Sequence, residues 1–117
     1  MNIEGLVDLW NLTQRHPGTS GARAATGVLL GLYNGNRFPM DLTELQSLDL
    51  HHKCAAMAVL EAYVHQHQRE IHQWLNELTG RHDFGARLEQ LAHDYKLKGK
   101  CSRENLSVLS PATLIIG

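Results

Sequence analysis

Eight histidines in 117 residues are the side chains with the most latent chemistry in this chain. Their spacing decides what they can do. His51, His52 and Cys54 are near neighbours, yet successive helical residues point about 100° apart, so only His51 and Cys54 share a face. Glu61 and His65 stand four residues apart and can reach one ion from a helix, with His72 on roughly the same side. These three are the residues a metal would take. His67 falls into an apolar stripe instead. None of this matches a zinc-protease helix motif or a paired-cysteine site. The expectation is therefore no metal and no cofactor, with His65 and His72 solvated and His67 partly buried; a histidine-based metal-binding protein is the alternative.

Nucleophilic chemistry has two candidates. Cys54 lies in Lys53-Cys54-Ala55-Ala56, an alanine-rich helical context where a buried, inert thiol is expected. Cys101 sits beside Lys100 and Arg103, cations that favour its thiolate. No glycine elbow surrounds a serine, and neither a phosphate loop nor a dinucleotide fingerprint occurs. The chain reads as non-enzymatic. Two cysteines make no disulfide framework, so a cytoplasmic location is expected. The apolar runs are only a few residues long, so no membrane partner is expected.

The elements that position these residues are helical. Ile3, Leu6, Val7 and Trp10 fall on one side of a helix over 3–15, stopped by His16-Pro17-Gly18. Thr19-Ser20 can cap a second helix with Ala22, Ala25, Val28, Leu29, Leu32 and Tyr33 on its apolar face. Ala24, Gly27 and Gly31 form a small-residue line, which calls for a closely approaching backbone because helical glycine costs about 1 kcal/mol against alanine. Gly35, in a left-handed conformation, should close this helix. Asp41 and Glu44 are spaced for a reciprocal capping box on a short helix ending near Leu48, and Asp49 can cap the next.

From Leu50 to Thr79 the stripe Lys53, Ala56, Met57, Leu60, Val64, His67, Ile71, Trp74, Leu75 and Leu78 predicts core-facing positions. The polar stretch 66–70 predicts a break into helices 50–65 and 69–79, the second closed by Gly80. Asp83 can cap a last helix carrying Phe84, Leu88, Leu91 and Tyr95. The fold class is all-α: a single-domain bundle of five or six helices over residues 1–104. Residues 105–117 form an apolar tail that docks on the body or on a partner chain, where it can add a short strand.

Charge divides along the same line. Residues 1–95 hold 7 basic and 11 acidic side chains, whereas 96–117 hold 4 and 1. The whole chain carries −1, which predicts no general attraction to nucleic acid. DNA binding is nonetheless an alternative, because residues 41–64 have the outline of a helix-turn-helix and the strip from Lys96 to Arg103 can contact phosphates. Exposed binding candidates are Asn36 and Arg37 in the turn, and Lys98, Lys100 and Arg103 in the strip. The glycine-lined second helix and the apolar tail also suit a homodimer.

One stretch carries a resemblance. Ser20-Gly21-Ala22-Arg23, Leu29-Leu30-Gly31-Leu32-Tyr33-Asn34-Gly35, Phe38-Pro39-Met40-Asp41-Leu42-Thr43-Glu44-Leu45 and Leu48-Asp49 succeed one another in this chain. This pattern resembles an uncharacterised family carried on proteobacterial phages, plasmids and integrative elements. It is clearest over residues 19–50, weakens towards residue 95, and leaves out the N-terminal helix and the tail. The resemblance brings no catalytic residue. It implies an accessory protein of a mobile element acting inside a bacterium. Together with the small size and the absence of catalytic motifs, this points to a protein that binds a host or element protein, with inhibition of a host defence system, as anti-CRISPR proteins do, as its sharpest form.

Overall fold

The computed structural model describes residues 1–66 and 69–95. The expectations for His67, Cys101, Lys98, Lys100, Arg103 and the apolar tail lie outside the described residues. Among the described residues, five α-helices and one 3₁₀ segment run in order: α1 (Ile3–Arg15), α2 (Ser20–Tyr33), the 3₁₀ segment (Leu42–Ser47), α3 (Leu50–His65), α4 (Ile71–Thr79) and α5 (Phe84–Tyr95). No strand occurs among the described residues, and the domain is all-α.

Helix α2 is the axis of the bundle. Its residues Ala24 to Leu30 are all buried, and it packs against α1, the 3₁₀ segment, α4 and α5. Leu6 and Leu9 of α1, Ile71 and Leu75 of α4, and Phe84, Leu88 and Leu91 of α5 close the core around it. Trp10 meets the Phe84 ring edge-on at 5.0 Å between centroids. On α1 the inward face is Gly5, Leu6, Leu9 and Thr13; Val7, assigned inward by its spacing, is exposed.

The small-residue line of α2 is covered only at ordinary contact distance, not by the close backbone its glycines call for. A Cβ at Gly27 would stand 3.8 Å from a Glu44 carboxylate oxygen. The Gly31 Cα carries a Cβ position 3.4 Å from the Met40 Cβ and 3.7 Å from the Phe38 carbonyl oxygen. The segment folded back onto this line belongs to the same chain, so that stretch of α2 is covered from within.

Several local expectations give way to longer-range partners. Gly35 is not left-handed; positive φ occurs at Gly18 and Gly80. Helix α2 instead ends where the Asn34 amide donates to the Leu30 carbonyl. The reciprocal box at Asp41 does not form. Asp41 accepts the Thr43 amide at 3.0 Å, and Glu44 turns away to take the Arg23 guanidinium at 3.0 Å, a charged partner that outcompetes a backbone amide. A reciprocal box appears later instead, between Glu70 and Gln73 at the start of α4. Gly80 closes α4 at φ 69°, as its position predicts. Asp83 is occupied by two guanidiniums, Arg81 at 2.9 Å and Arg87 at 3.0 Å, while the Phe84 amide donates to Asn76 Oδ1 at 3.0 Å.

Candidate interaction surface

Helix α3 presents the largest departure from the sequence-based face assignment. Asp49 caps it by accepting the His52 amide. Its inward residues are Ala55, Ala56 and Val59, small enough for α3 to lie tightly on α1. The two helices run in opposite directions, since Asp8 meets His51 at 3.0 Å and the Cβ position of Gly5 lies 2.9 Å from the Ala55 carbonyl oxygen. With that face against α1, Met57 and Val64 point to solvent rather than to the core.

Four large apolar side chains stand out: Leu50 at 77% exposure, Val64 at 76%, Leu42 at 68% and Met57 at 60%. Leu50, Met57 and Val64 are seven residues apart, which is within about 20° of two helical turns, so they form one line about 21 Å long. Lys53 and Glu61 flank it, both exposed. Between this line and the 3₁₀ segment lies a groove of about 240 Å³ lined by Leu45, Gln46, Lys53, Ala56 and Met57. Residues three apart eclipse each other on a 3₁₀ helix, which stacks exposed Leu42 on the Leu45 side of the groove.

Cys54, assigned to the interior, is exposed. Its alanine neighbours face α1 and leave the thiol outward. The proposed metal residues separate. Glu61 and His65 line a shallow pocket with Met1 and Asn2. His72 is half-buried on α4 rather than solvated; its ring meets Tyr33 edge-on at 5.5 Å, and its Nδ1 is buried without a hydrogen-bond partner among the described residues. Among the described residues, no three His, Cys, Asp or Glu side chains gather in a way that could hold a metal ion.

Of the turn candidates, Asn36 is exposed, whereas Arg37 is committed. Its guanidinium grips Glu89 of α5 through both carboxylate oxygens, at 2.6 and 2.8 Å, and lies 4.7 Å over the Phe38 ring. The Tyr33 hydroxyl donates to the same carboxylate at 3.0 Å. The Arg37 hydrogen bond holds the Glu89 carboxyl below the ordinary glutamate range, against a smaller opposing effect of burial. A carboxyl depressed in the folded state stabilises above its unfolded pKa, and that contribution fades as pH falls through the folded value. Glu89→Gln should therefore cost about 0.5–1 kcal/mol at pH 7 and progressively less below about pH 4. Urea titrations of both proteins from pH 7 down to pH 3 test this; a gap that does not narrow as pH falls contradicts it.

The outline of residues 41–64 as a DNA-reading pair meets specific geometry. The first element is the six-residue 3₁₀ segment. His51 and His52 at the start of α3 are paired with the carboxylates of Asp8 and Asp49. No helix among the described residues is long and apolar enough to cross a membrane.

Fold and surface together define a small all-α domain whose most exposed apolar side chains cluster on one helix and the turn before it. The chain belongs to a family of unknown function, DUF7673, which matches residues 3–96. The match takes in α1, which the motif of residues 19–50 does not reach. Among curated proteins and among solved structures, nothing matches the chain.

Proposed function

We propose that this protein is a non-enzymatic binding module that holds an apolar-striped helix of a partner protein along α3. The observation that carries this reading is the line Leu50, Met57 and Val64, three large apolar side chains held in water on one helix face. Such a spacing is that of a coiled-coil seam, with Lys53 and half-buried Leu60 at the alternate positions. An amphipathic helix with the same repeat buries Leu50, Met57 and Val64 at once while the Lys53 ammonium stays at the rim. A flanking Lys53 and Glu61 set its charge pattern and direction. The resemblance of residues 19–50 to proteins of phages, plasmids and integrative elements supports an accessory role on a bacterial mobile element. A host defence protein is the partner class that role suggests.

The test compares the wild-type chain with Met57→Asp. A protein recovered from the bacterial host is purified and its affinity measured for both. Burying an aspartate in the centre of the seam should weaken binding at least about 30-fold, the loss typical of a central hot spot. A partner that binds both chains equally well removes α3 as the surface.

A further inference from the structure

Helix α3 carries its exposed side chains in a self-complementary order about Met57. Leu50 lies seven residues before Met57 and Val64 seven after it, while Lys53 lies four before and Glu61 four after. Along the axis, Leu50 and Val64 therefore stand about 10.5 Å from Met57, and Lys53 and Glu61 about 6 Å. The two charges flank the apolar line on opposite sides, each turned about 40° from Met57. All five side chains are exposed. Neither charge has an ion-pair partner among the described residues.

A second α3 laid antiparallel, with a two-fold axis at Met57, meets this order with its complement. Met57 faces its own counterpart, and each Leu50 faces a Val64. Each Lys53 comes level with the second copy's Glu61, and symmetry makes that pair twice. A parallel pair in register would instead set Lys53 against Lys53 and Glu61 against Glu61, so the charges select the antiparallel arrangement. Helix α1 does not stand in the way. Its Gly5 meets Ala55 and Val59, which project from the opposite side of α3.

We infer that, without a partner protein, the chain pairs with a second copy of itself through antiparallel α3 helices, with Met57 at the two-fold axis and Lys53 and Glu61 joined across the seam. This rests on the reading of α3 as a helix-binding face, since a second α3 is itself an apolar-striped helix. The partner protein then has to displace it, and its apparent affinity falls with the fraction of chains that are paired. A seam built on one 16-residue helix belongs to the small interfaces, so pairing should have a Kd on the order of 10–100 μM.

Sedimentation equilibrium of the full chain, with both cysteines kept reduced, tests this over a range of about 5–500 μM that brackets the expected Kd. The mass should rise from one chain towards two. A single-chain mass throughout overturns the inference. Lys53→Glu and Glu61→Lys, both at exposed positions, each set like charges level with one another at both ends of the seam. Each should weaken pairing about tenfold. An equimolar mixture of the two variants restores both opposite-charge pairs and should recover most of the lost affinity. Pairing that ignores the reversals, or a mixture no tighter than its parts, overturns the inference, because the copies then meet elsewhere. A monomeric wild-type chain whose host protein is lost in Met57→Asp overturns only this inference. Charge-sensitive pairing together with a host protein that binds Met57→Asp undiminished overturns only the functional reading.

Discussion

Leu29→Ala should lower the unfolding free energy by about 2–5 kcal/mol, the range for truncating a fully buried leucine where neighbours cannot collapse into the space. Leu29 is completely buried in the middle of α2, the helix on which α1, α4, α5 and the 3₁₀ segment all pack. A cavity there is walled by several elements, each fixed by its own contacts, so relaxation on one side opens a gap on another. Small domains are stable by roughly 5–15 kcal/mol in total, so this single change removes a large share. The melting temperature should fall by roughly 10–30 °C on the scaling for domains of this size. Leu42→Ala supplies the contrast: Leu42 is largely exposed, and the same chemical truncation should cost no more than about 0.5 kcal/mol. Urea unfolding of the two variants measures both. Equal midpoints would mean that α2 is not the centre of the core.

That contrast also marks where the sequence is legible. Every helix announces itself through apolar spacing and end signals. Thr19 accepts the Ala22 amide, Asp49 accepts the His52 amide, and Gly80 takes a left-handed φ; all three are short-range devices written in adjacent residues. Choosing a face is harder, because it depends on what lies across the contact. On α3 the large apolar residues suggest an inward stripe, yet alanines make the contact and Met57 and Val64 face out. A helix pressed against a glycine-bearing neighbour favours small side chains at the seam, so residue size misleads there. Long-range ion pairs are hidden for a related reason. Glu44 has two geometrically sound partners, a local amide and a distant Arg23, and nothing within residues 41–48 indicates that Arg23 arrives.

The binding candidates divide in the same way. Arg37 looks like a free cation in a turn because its acceptor, Glu89, is 52 residues away. The surface on α3 has a signal that could have found it, the seven-residue repeat Leu50, Met57, Val64. That repeat is indistinguishable from a core stripe until the opposite face of α3 is known to be the buried one.

Gly5 lies where α1 presses on the inward face of α3, and replacing it should show what that contact holds. A Cβ at Gly5 would stand 2.9 Å from the Ala55 backbone oxygen and 3.2 Å from Val59 Cγ2. The backbone oxygen cannot rotate aside, so α3 has to move as a body. Overpacking of this kind costs about 1–3 kcal/mol, while alanine in place of a helical glycine recovers about 1 kcal/mol. Gly5→Ala should therefore lose up to about 2 kcal/mol. Gly5→Val, which adds two methyls in the same crevice with less helical preference, belongs at about 3 kcal/mol. The damage should be local. Hydrogen exchange should accelerate across α3 well before it does in α2, because α3 packs on α1 while α2 is held from four sides. A helix loosened from α1 no longer holds Leu50, Met57 and Val64 in register, so partner affinity should drop along with protection. Wild-type exchange rates across α3 in Gly5→Val would mean that the two helices are not in close contact at Gly5.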